Sequence, residues 1–320
     1  MNPTKEYAIG LDIGGTKILA AVIDQEGQIV RKTEEKTLPE LGEAGTIQRI
    51  LAAVDTLLDS CGEERNHIRG IGIATAGVIN SRTTEVVFAN NLGWKNVPIG
   101  AIITERFQLP AKISNDANAA TVSEWLWGAG QGKENLIYIT VSTGVGAGII
   151  SGGRLITGVT DSAGEFGHIS IDLEGPMCTC GNRGCLELYT SGTAIAKQAI
   201  QRLENGETSS VLHEKKGSFS WITAKEVTEA ASLGDPFSRD VVFQVGKWLG
   251  AGVTNLIHLF NPEVIVFGGG VMNNGDVLLP VLQETIDERC IPNMARQVQL
   301  VKSQVGKEAG VMGAAGLFFS

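Results

Sequence analysis

Three cysteines and one histidine form the densest group of potential metal ligands in the sequence. Cys178, Cys180 and Cys185 lie within eight residues, and His168 stands ten residues before the first of them. Three thiolates and an imidazole match closed tetrahedral zinc coordination, which leaves no position for a reactive water. The glycines between the cysteines let the chain curl tightly enough for the thiols to point at one centre. We therefore predict a structural zinc site, with a redox-active thiol cluster as the alternative.

Two glycine-containing loops have the composition of phosphate-binding segments. Residues 12–17, with the sequence Asp-Ile-Gly-Gly-Thr-Lys, combine accessible backbone N–H groups with a carboxylate for Mg²⁺ or its waters, a hydroxyl and a cation. The spacing is not that of a Walker P-loop. The second loop runs from Ser142 to Gly148, and the β-branched Ile149 and Ile150 after it continue a strand, which argues against a Rossmann helix. The candidate phosphate-binding residues are Asp12, Gly14, Gly15, Thr16, Lys17, Thr143, Gly144 and Gly146.

A third group, Asn115 and Asp116, follows an apolar run and precedes a predicted helix. An Asp at this position lies near the positive end of the helix dipole, so a plain N-cap explains it. A carboxylate that accepts a proton from a substrate is the other explanation. The residues alone leave both open.

The hydrophobic pattern places both glycine loops between strands. Apolar runs and tight turns predict an antiparallel meander over residues 7–36, and residues 135–156 repeat the strand–glycine loop–strand order. The repetition indicates two similar domains that face each other, two unrelated glycine turns being the alternative. The other predicted strands are 68–74, 111–114 and 262–267, and the predicted helices are 45–61, 99–107, 194–203, 224–231, 238–259, 277–288 and 307–318.

Composition limits the classes of function. The 320 residues include 26 Lys and Arg against 35 Asp and Glu, for a net charge of −9, with no basic run. This balance argues against a nucleic-acid partner, since phosphate contacts dominate such binding. No apolar run is long enough to span a membrane, and the first residues lack the apolar core of a signal peptide, so we expect a cytoplasmic protein without a membrane partner.

Several motifs together resemble a known family. The two glycine loops and the triplet Gly268, Gly269 and Gly270 resemble the two phosphate loops and the adenosine loop of the actin and hexokinase superfamily. Within it, Gly164-Glu165-Phe166-Gly167-His168 and Cys178-x-Cys180-Gly181-x-x-Gly184-Cys185-x-Glu187 resemble the signature of the ROK family of sugar kinases and repressors. The resemblance covers nearly the whole chain.

The resemblance implies an α/β, two-domain actin-like fold (ribonuclease H-like), with mixed sheets flanked by helices and a zinc-bound loop. We expect a smaller N-terminal domain at residues 1–118, joined by the C-terminal helix 307–320. A larger domain would span residues 119–306 and carry the zinc loop and the adenosine site. The boundary then falls inside a helix, near Asn118.

The implied function is ATP-dependent phosphorylation of a hexose, with glucose favoured and with N-acetylmannosamine or fructose as alternatives. A sugar-responsive repressor is the alternative of another class; we expect no DNA-binding domain, because the first strand begins at about Tyr7. By resemblance the cofactors are ATP, Mg²⁺ and structural Zn²⁺, and the protein is a homodimer.

The resemblance also assigns roles to residues. Asp116 becomes the general base, and His168 binds zinc through one ring nitrogen and a sugar hydroxyl through the other. The segment 75–78 departs from the family because it lacks the Pro-Gly-Pro of many glucokinase-like members, which bears on the geometry near Gly77. The implied sugar-binding residues are Asn91, Asn115, Asp116, Glu165, His168 and Glu187.

Overall fold

Two mixed five-stranded sheets organise the part of the chain that the computed structural model describes, residues 5–320. The first sheet has the strand order β3-β2-β1-β4-β8, with an antiparallel meander on one side and parallel strands on the other. Its strands are β1 (Tyr7–Ile13), β2 (Lys17–Asp24), β3 (Ile29–Lys36), β4 (Ile68–Thr75) and β8 (Ala111–Asn115).

The second sheet repeats this arrangement with the order β11-β10-β9-β12-β13. The hairpin β9–β10 is antiparallel, whereas β12 runs parallel to β9 and β13. The five strands are β9 (Leu136–Val141), β10 (Val145–Ser151), β11 (Arg154–Leu155), β12 (Val264–Gly268) and β13 (Gln299–Lys302). The prediction of two similar strand–glycine loop–strand units is confirmed.

A small antiparallel sheet of three short strands was not predicted. It consists of β5 (Val78–Asn80), β6 (Glu85–Ala89) and β7 (Trp94–Val97). The strands are three to five residues long, too short for alternation to stand out from the surrounding turns.

Ten α-helices complete the described part of the chain. All the predicted helices are present, and α2 has the predicted bounds. The helices are α1 (Gly42–Ser60), α2 (Ile99–Phe107), α3 (Asp116–Trp127), α4 (Glu187–Thr190), α5 (Gly192–Glu204), α6 (Ala224–Ser232), α7 (Pro236–Phe260), α8 (Leu279–Arg289), α9 (Pro292–Ala295) and α10 (Ala309–Gly316). Among the described helices, none combines the length and the apolar character needed to cross a bilayer.

Each large sheet has its own apolar core. One cluster joins β1, β4 and α1 through residues such as Ile9, Ile71 and Val54, and another joins β9 and β12 to α7. Helix α10 packs on the first sheet, where Val311 and Ala315 meet the apolar face of β1 and β2. The C-terminal segment thus returns to the N-terminal sheet, alongside α3.

The predicted glycine loop 142–148 is too long: β10 already begins at Val145, so Gly146 and Gly148 are strand residues. Their lack of a side chain has a packing cause. A Cβ at Gly148 would lie 2.0 Å from the Thr121 hydroxyl of α3. Glycine therefore permits a close approach of helix to strand here and does not mark a turn.

Candidate active site and metal centre

A cavity of about 790 Å³ lies at the carboxyl ends of β8 and β9, between the two large sheets. Its lining brings together four of the predicted site residues that carry carboxylate or imidazole groups. They are Asp116, Glu165, His168 and Glu187. Asn115, Thr143, Gly144 and Gly146 also line it.

Asn115 and Asp116 have different local roles. The Asn115 Oδ1 accepts hydrogen bonds from the backbone N–H groups of Ala117 (2.8 Å) and Asn118 (3.4 Å), so Asn115 is the N-cap of α3. Asp116 occupies the first helical position, where its Oδ1 accepts from Ala117 N at 2.9 Å. Within residues 5–320, no side chain or other residue's backbone donates a hydrogen bond to the second carboxylate oxygen, which leaves it available to a substrate hydroxyl.

The charge of Asp116 acts on the carboxyl group of Asp12, and burial acts on both groups. Burial and, to a smaller extent, the nearby Asp116 charge raise the pKa of Asp12 to about 6, while Lys17 opposes the shift. The pKa of Asp116 is also raised by burial, although the side chain is accessible from the cavity; the N–H of Ala117 opposes this shift. Protein atoms around the cleft thus keep bulk water from both groups, and a cation between them would relieve their repulsion.

The first glycine loop lies beside this cavity. Its turn is closed by Gly14 N donating to Lys17 O (2.9 Å), and the Thr37 hydroxyl donates to Gly14 O at 2.6 Å. Lys17 and Thr16 are exposed, and Lys17 Nζ is 3.3 Å from the carboxylate of Glu34. None of residues 14–17 is among the cavity-lining residues.

The structure places Asn91 against Gly15 and not in the cavity lining. A Cβ at Gly15 would lie 3.2 Å from Asn91 Cβ. Its neighbour Asn90 lines the cavity, together with Ala76, Gly77 and Val78, the residues where the sequence departs from the glucokinase-like pattern.

Glu187 joins the second glycine loop to the cavity. Its Oε2 accepts a hydrogen bond from Val145 N at 2.8 Å, and a Cβ at Gly144 would lie 2.4 Å from the same oxygen. On the other side of the loop, Ser142 and Thr143 line a second cavity of about 470 Å³, with Gly270 and Val271 in its wall. The Gly268–Gly270 triplet lines a third cavity of similar size. The first and second cavities share Ser142 and Thr143, and the second and third share Gly270, so the second glycine loop and the triplet lie along one connected cleft.

The predicted metal ligands converge. The ligand atoms of His168, Cys178, Cys180 and Cys185 all lie within 4.8 Å of one another. His168 Nδ1 is 3.8 Å from Cys178 Sγ, and Cys180 Sγ is 3.6 Å from Cys185 Sγ. Ligands on a tetrahedral zinc are about 3.8 Å apart when each bond is about 2.3 Å, so the spacing fits zinc.

The chemistry and orientation of these ligands also fit. Burial opposes ionisation of Cys178, but hydrogen bonds from the Cys180 backbone and from the neighbouring ligands outweigh it and lower the pKa of this thiol to about 7. His168 Nδ1 faces the thiols, while Nε2 faces the cavity, 4.0 Å from the Glu165 carboxylate. One imidazole thus links the metal centre to the cavity.

The comparisons with known proteins agree with this geometry. The model of the ROK family matches residues 8–320. The chain belongs to the ROK family.

Relatives within the ROK family include kinases and regulators. A glucokinase from Halalkalibacterium halodurans is 37% identical, over 97% of this chain and 94% of its own length. The structure of a ROK glucokinase from Streptomyces griseus in complex with glucose and AMPPNP is 38% identical, with a TM-score of 0.80, covering 97% of this chain and 98% of that one. A xylose repressor from Bacillus spizizenii is 30% identical, over 99% of this chain and 78% of its own length.

Asp161 is one of the cavity residues of this ROK protein that sequence reasoning missed. Its Oδ2 and Oδ1 accept hydrogen bonds from the backbone N–H (2.8 Å) and the hydroxyl (2.9 Å) of Ser81, in the turn between β5 and β6. Asp161 adopts a left-handed backbone conformation, with φ 56°, which is uncommon outside glycine. The segment carries no pattern that would have revealed this contact, because its partner is 80 residues away.

Proposed function

We propose that this ROK protein transfers the γ-phosphoryl group of ATP to a hexose, with D-glucose as the favoured acceptor and glucose 6-phosphate as the product. The observation that carries the proposal is the cavity, which brings Asp116 together with Glu165, His168 and Glu187 beside the second glycine loop. The S. griseus relative, which holds glucose and AMPPNP, supports the choice of both substrates.

Asp116 is the proposed general base. Its carboxylate accepts the proton of the sugar hydroxyl as that oxygen attacks the γ-phosphorus and the bond to the β-phosphate oxygen breaks. The raised pKa of Asp116 makes it a better base than an ordinary Asp. A loose transition state requires little early deprotonation, so alignment of the hydroxyl contributes more than basicity.

Hydroxyl recognition is assigned to the other polar groups of the cavity. Carboxylates such as Glu165 and Glu187 can each accept hydrogen bonds from two neighbouring hydroxyls. The Asn115 amide N–H₂ remains available to a hydroxyl because only its oxygen caps α3. His168 Nε2 can reach a hydroxyl while Nδ1 remains with the metal ligands.

The nucleotide is assigned to the connected cleft. Backbone N–H groups of Gly14–Lys17 and Thr143–Gly146 would meet its phosphates, and the adenosine would lie near Gly268–Gly270. Mg²⁺ bound to the phosphates would supply positive charge, and the Asp12 carboxylate would hold the ion or its waters.

Zinc is proposed as a structural ion that fixes the orientation of His168. Loss of the metal would therefore lower both stability and sugar affinity. A homodimeric assembly remains a prediction from the family resemblance, and a cytoplasmic location remains a prediction from the apolar pattern of the sequence.

The test is a set of initial rates with ATP and a panel of hexoses: glucose, mannose, fructose and N-acetylmannosamine. We expect glucose to give the highest kcat/KM. Asp116→Asn should lower kcat by at least about 100-fold, since general-base contributions are of this size, while the Kd for glucose changes by no more than about threefold. A preference for another hexose would overturn the assignment of glucose, and near-normal turnover in Asp116→Asn would overturn the role of Asp116. Glucose binding without turnover in the unmodified protein would instead support a sugar-sensing role, as in the repressor relatives.

A further inference from the structure

Glu124 is a fully buried carboxylate that the proposed reaction does not use. It lies on α3, two turns after Asp116, and its side chain is 0% exposed. Burying such a group is costly unless it is hydrogen-bonded on all sides. Gly128 leaves the space that this carboxylate occupies, because a Cβ at Gly128 would lie 2.2 Å from Glu124 Oε2.

Four hydrogen bonds satisfy this carboxylate, and three of them come from one distant segment. Oε1 accepts from the Ser303 hydroxyl (2.5 Å) and Val305 N (3.0 Å), and Oε2 accepts from Gln304 N (3.3 Å). The fourth donor is Ala129 N, at 2.9 Å from Oε2. Glu124 thus holds α3 to the chain between β13 and α10.

The segment that Glu124 holds forms part of the nucleotide side of the cleft. Lys302, Ser303, Gly306 and Lys307, which we call the nucleotide-side wall, line the same cavity as Gly268–Gly270. Ser303 N donates to Phe267 O at 2.8 Å, at the end of β12 and directly before this triplet. The position of the wall relative to the triplet therefore depends on Ser303.

The Ser303 hydroxyl relays the effect of Glu124 further along the wall. It donates to Glu124 and accepts from Gly306 N at 3.1 Å. A carboxylate can only accept, so it fixes the direction of the hydroxyl proton and leaves a lone pair for Gly306 N–H. An amide in place of the carboxylate would turn one N–H₂ toward the hydroxyl or a backbone N–H.

We propose that Glu124 is a positioning residue for the nucleotide, acting through the Ser303 hydroxyl on the nucleotide-side wall. The inference rests on the proposed function, because it assigns the ATP adenosine to this part of the cleft. The same helix begins with Asp116, about 12 Å from Glu124 along the helix axis. One rigid element therefore fixes the positions of both the proposed base and this wall.

The experiment compares Glu124→Gln with a matched structural control. Asp235, the N-cap of α7, is 1% exposed and also accepts several hydrogen bonds, from Ser209, Ser210 and Ser238, but lines none of the three cleft cavities. Asp235→Asn therefore removes a buried carboxylate of the same kind at a position outside the lining of the cleft. Each variant is assayed for KM of ATP, KM of glucose, kcat and Kd for AMPPNP, with the melting temperature recorded.

We expect Glu124→Gln to raise the KM for ATP and the Kd for AMPPNP by about tenfold, the scale of one charged hydrogen bond, with the KM for glucose within about twofold. Ser303→Ala removes only the hydroxyl that joins Glu124 to Gly306 N, and it should raise the same two constants by about threefold. This variant tests the inference even if Glu124→Gln fails to fold. Asp235→Asn should lower the melting temperature without changing either nucleotide constant. Unchanged nucleotide constants in Ser303→Ala, or an equal rise in Asp235→Asn, would overturn the inference. Absence of kinase activity in the unmodified protein would instead overturn the proposed function.

Discussion

Asp12 and Asp116 are two carboxyl groups whose ionised forms are disfavoured in the protein without a ligand. Both carboxyl groups are partly withdrawn from water, and each has a raised pKa. Gly310 of α10 contributes to this burial, since a Cβ there would lie 2.5 Å from Asp12 Oδ2. A bound cation would offset the cost of holding these two negative charges in the cleft, which agrees with the proposed site for magnesium and phosphate.

The raised pKa of Asp12 predicts that the free energy of unfolding of the protein without Mg²⁺ or nucleotide depends on pH. Because folding raises the pKa of Asp12 from 3.8 to about 6, its protonated form favours the folded state at low pH, and this contribution is lost as the pH rises through 6. Asp12→Asn should therefore stabilise the protein at pH 7 by about 1–3 kcal/mol while abolishing most activity.

Urea denaturation between pH 4 and pH 8 would measure this effect. The free energy of unfolding of Asp12→Asn should decline less between pH 4 and pH 7 than that of the unmodified protein. Asp235→Asn is the opposite case, because hydrogen bonds hold the pKa of Asp235 below its usual range despite burial; that variant should be destabilised at pH 7. If Asp12→Asn is less stable at pH 7 than the unmodified protein, the electrostatic cost is absent.

At the level of single residues, sequence reasoning succeeded where a residue type has few uses. Three cysteines and a histidine at short spacing indicate a metal site or a redox-active thiol cluster, and the four ligand atoms converge as a metal site requires. Asn90 and Asn91 could not be separated in this way. Both lie in the turn between β6 and β7, and the course of that turn, which the residue types do not specify, brings Asn90 and not Asn91 into the cavity lining.

Among the elements, the loop that carries the cysteines, residues 178–185, contains two glycines whose backbone positions can be tested separately. Gly181 and Gly184 both have positive φ, 93° and 59°, which disfavours any residue with a Cβ. They differ in space: a Cβ at Gly184 would lie 1.7 Å from Asp172 O, whereas nothing lies within 4 Å of one at Gly181.

A comparison of Gly181→Ala with Gly184→Ala distinguishes the effect of backbone strain from the effect of steric conflict. Gly184→Ala should displace the chain before Cys185 and lower the zinc content of the purified protein to below about half, because ligands must be held near ideal geometry. Gly181→Ala has the unfavourable φ alone and should keep its zinc. Metal analysis by plasma mass spectrometry gives both values, and full zinc occupancy in Gly184→Ala would contradict the steric argument.

The sequence predicts some helices and strands with their bounds and misses others, for physical reasons that differ from element to element. Helix α2 was predicted with its bounds because apolar spacing and flanking turns agree. The start of β10 was misplaced because glycine is a poor strand former, and its presence there reflects contact with α3, 25 or more residues earlier. The small sheet was missed because its strands have no length for a pattern. Long-range packing, and not local preference, decides such cases.

For the whole molecule, the proposed division is a smaller part at 1–118 with 307–320 and a larger part at 119–306. Residues 1–4 of the first part lie outside the described residues. The separate apolar clusters under the two large sheets support the division, as does the packing of α10 against β1 and α3. Because α3 leaves one part at Asp116 and enters the other, a small rotation about it would change the width of the cleft.

The contact between Ser81 and Asp161 bridges these two parts beside the sugar side of the cleft. Closure of such clefts excludes water from the transferred phosphoryl group. Asp161→Ala removes both hydrogen bonds and should raise the KM for glucose by about fivefold. Ser81→Ala keeps the backbone donor and should raise this KM by about twofold. Asp161→Asn, which retains an acceptor and tolerates the left-handed conformation, should lie nearest the unmodified protein.

Small-angle scattering tests whether this loss reflects cleft closure. With glucose and AMPPNP bound, Asp161→Ala should keep a larger radius of gyration than the unmodified protein, because fewer contacts favour the closed arrangement. Ser218→Ala removes exposed hydroxyl contacts with Ser220, and neither residue lines a cleft cavity; this variant is the matched control and should change neither quantity. If Asp161→Ala raises the KM for glucose but closes as fully as the unmodified protein, Asp161 acts on the sugar within the cavity and not through the bridge to Ser81.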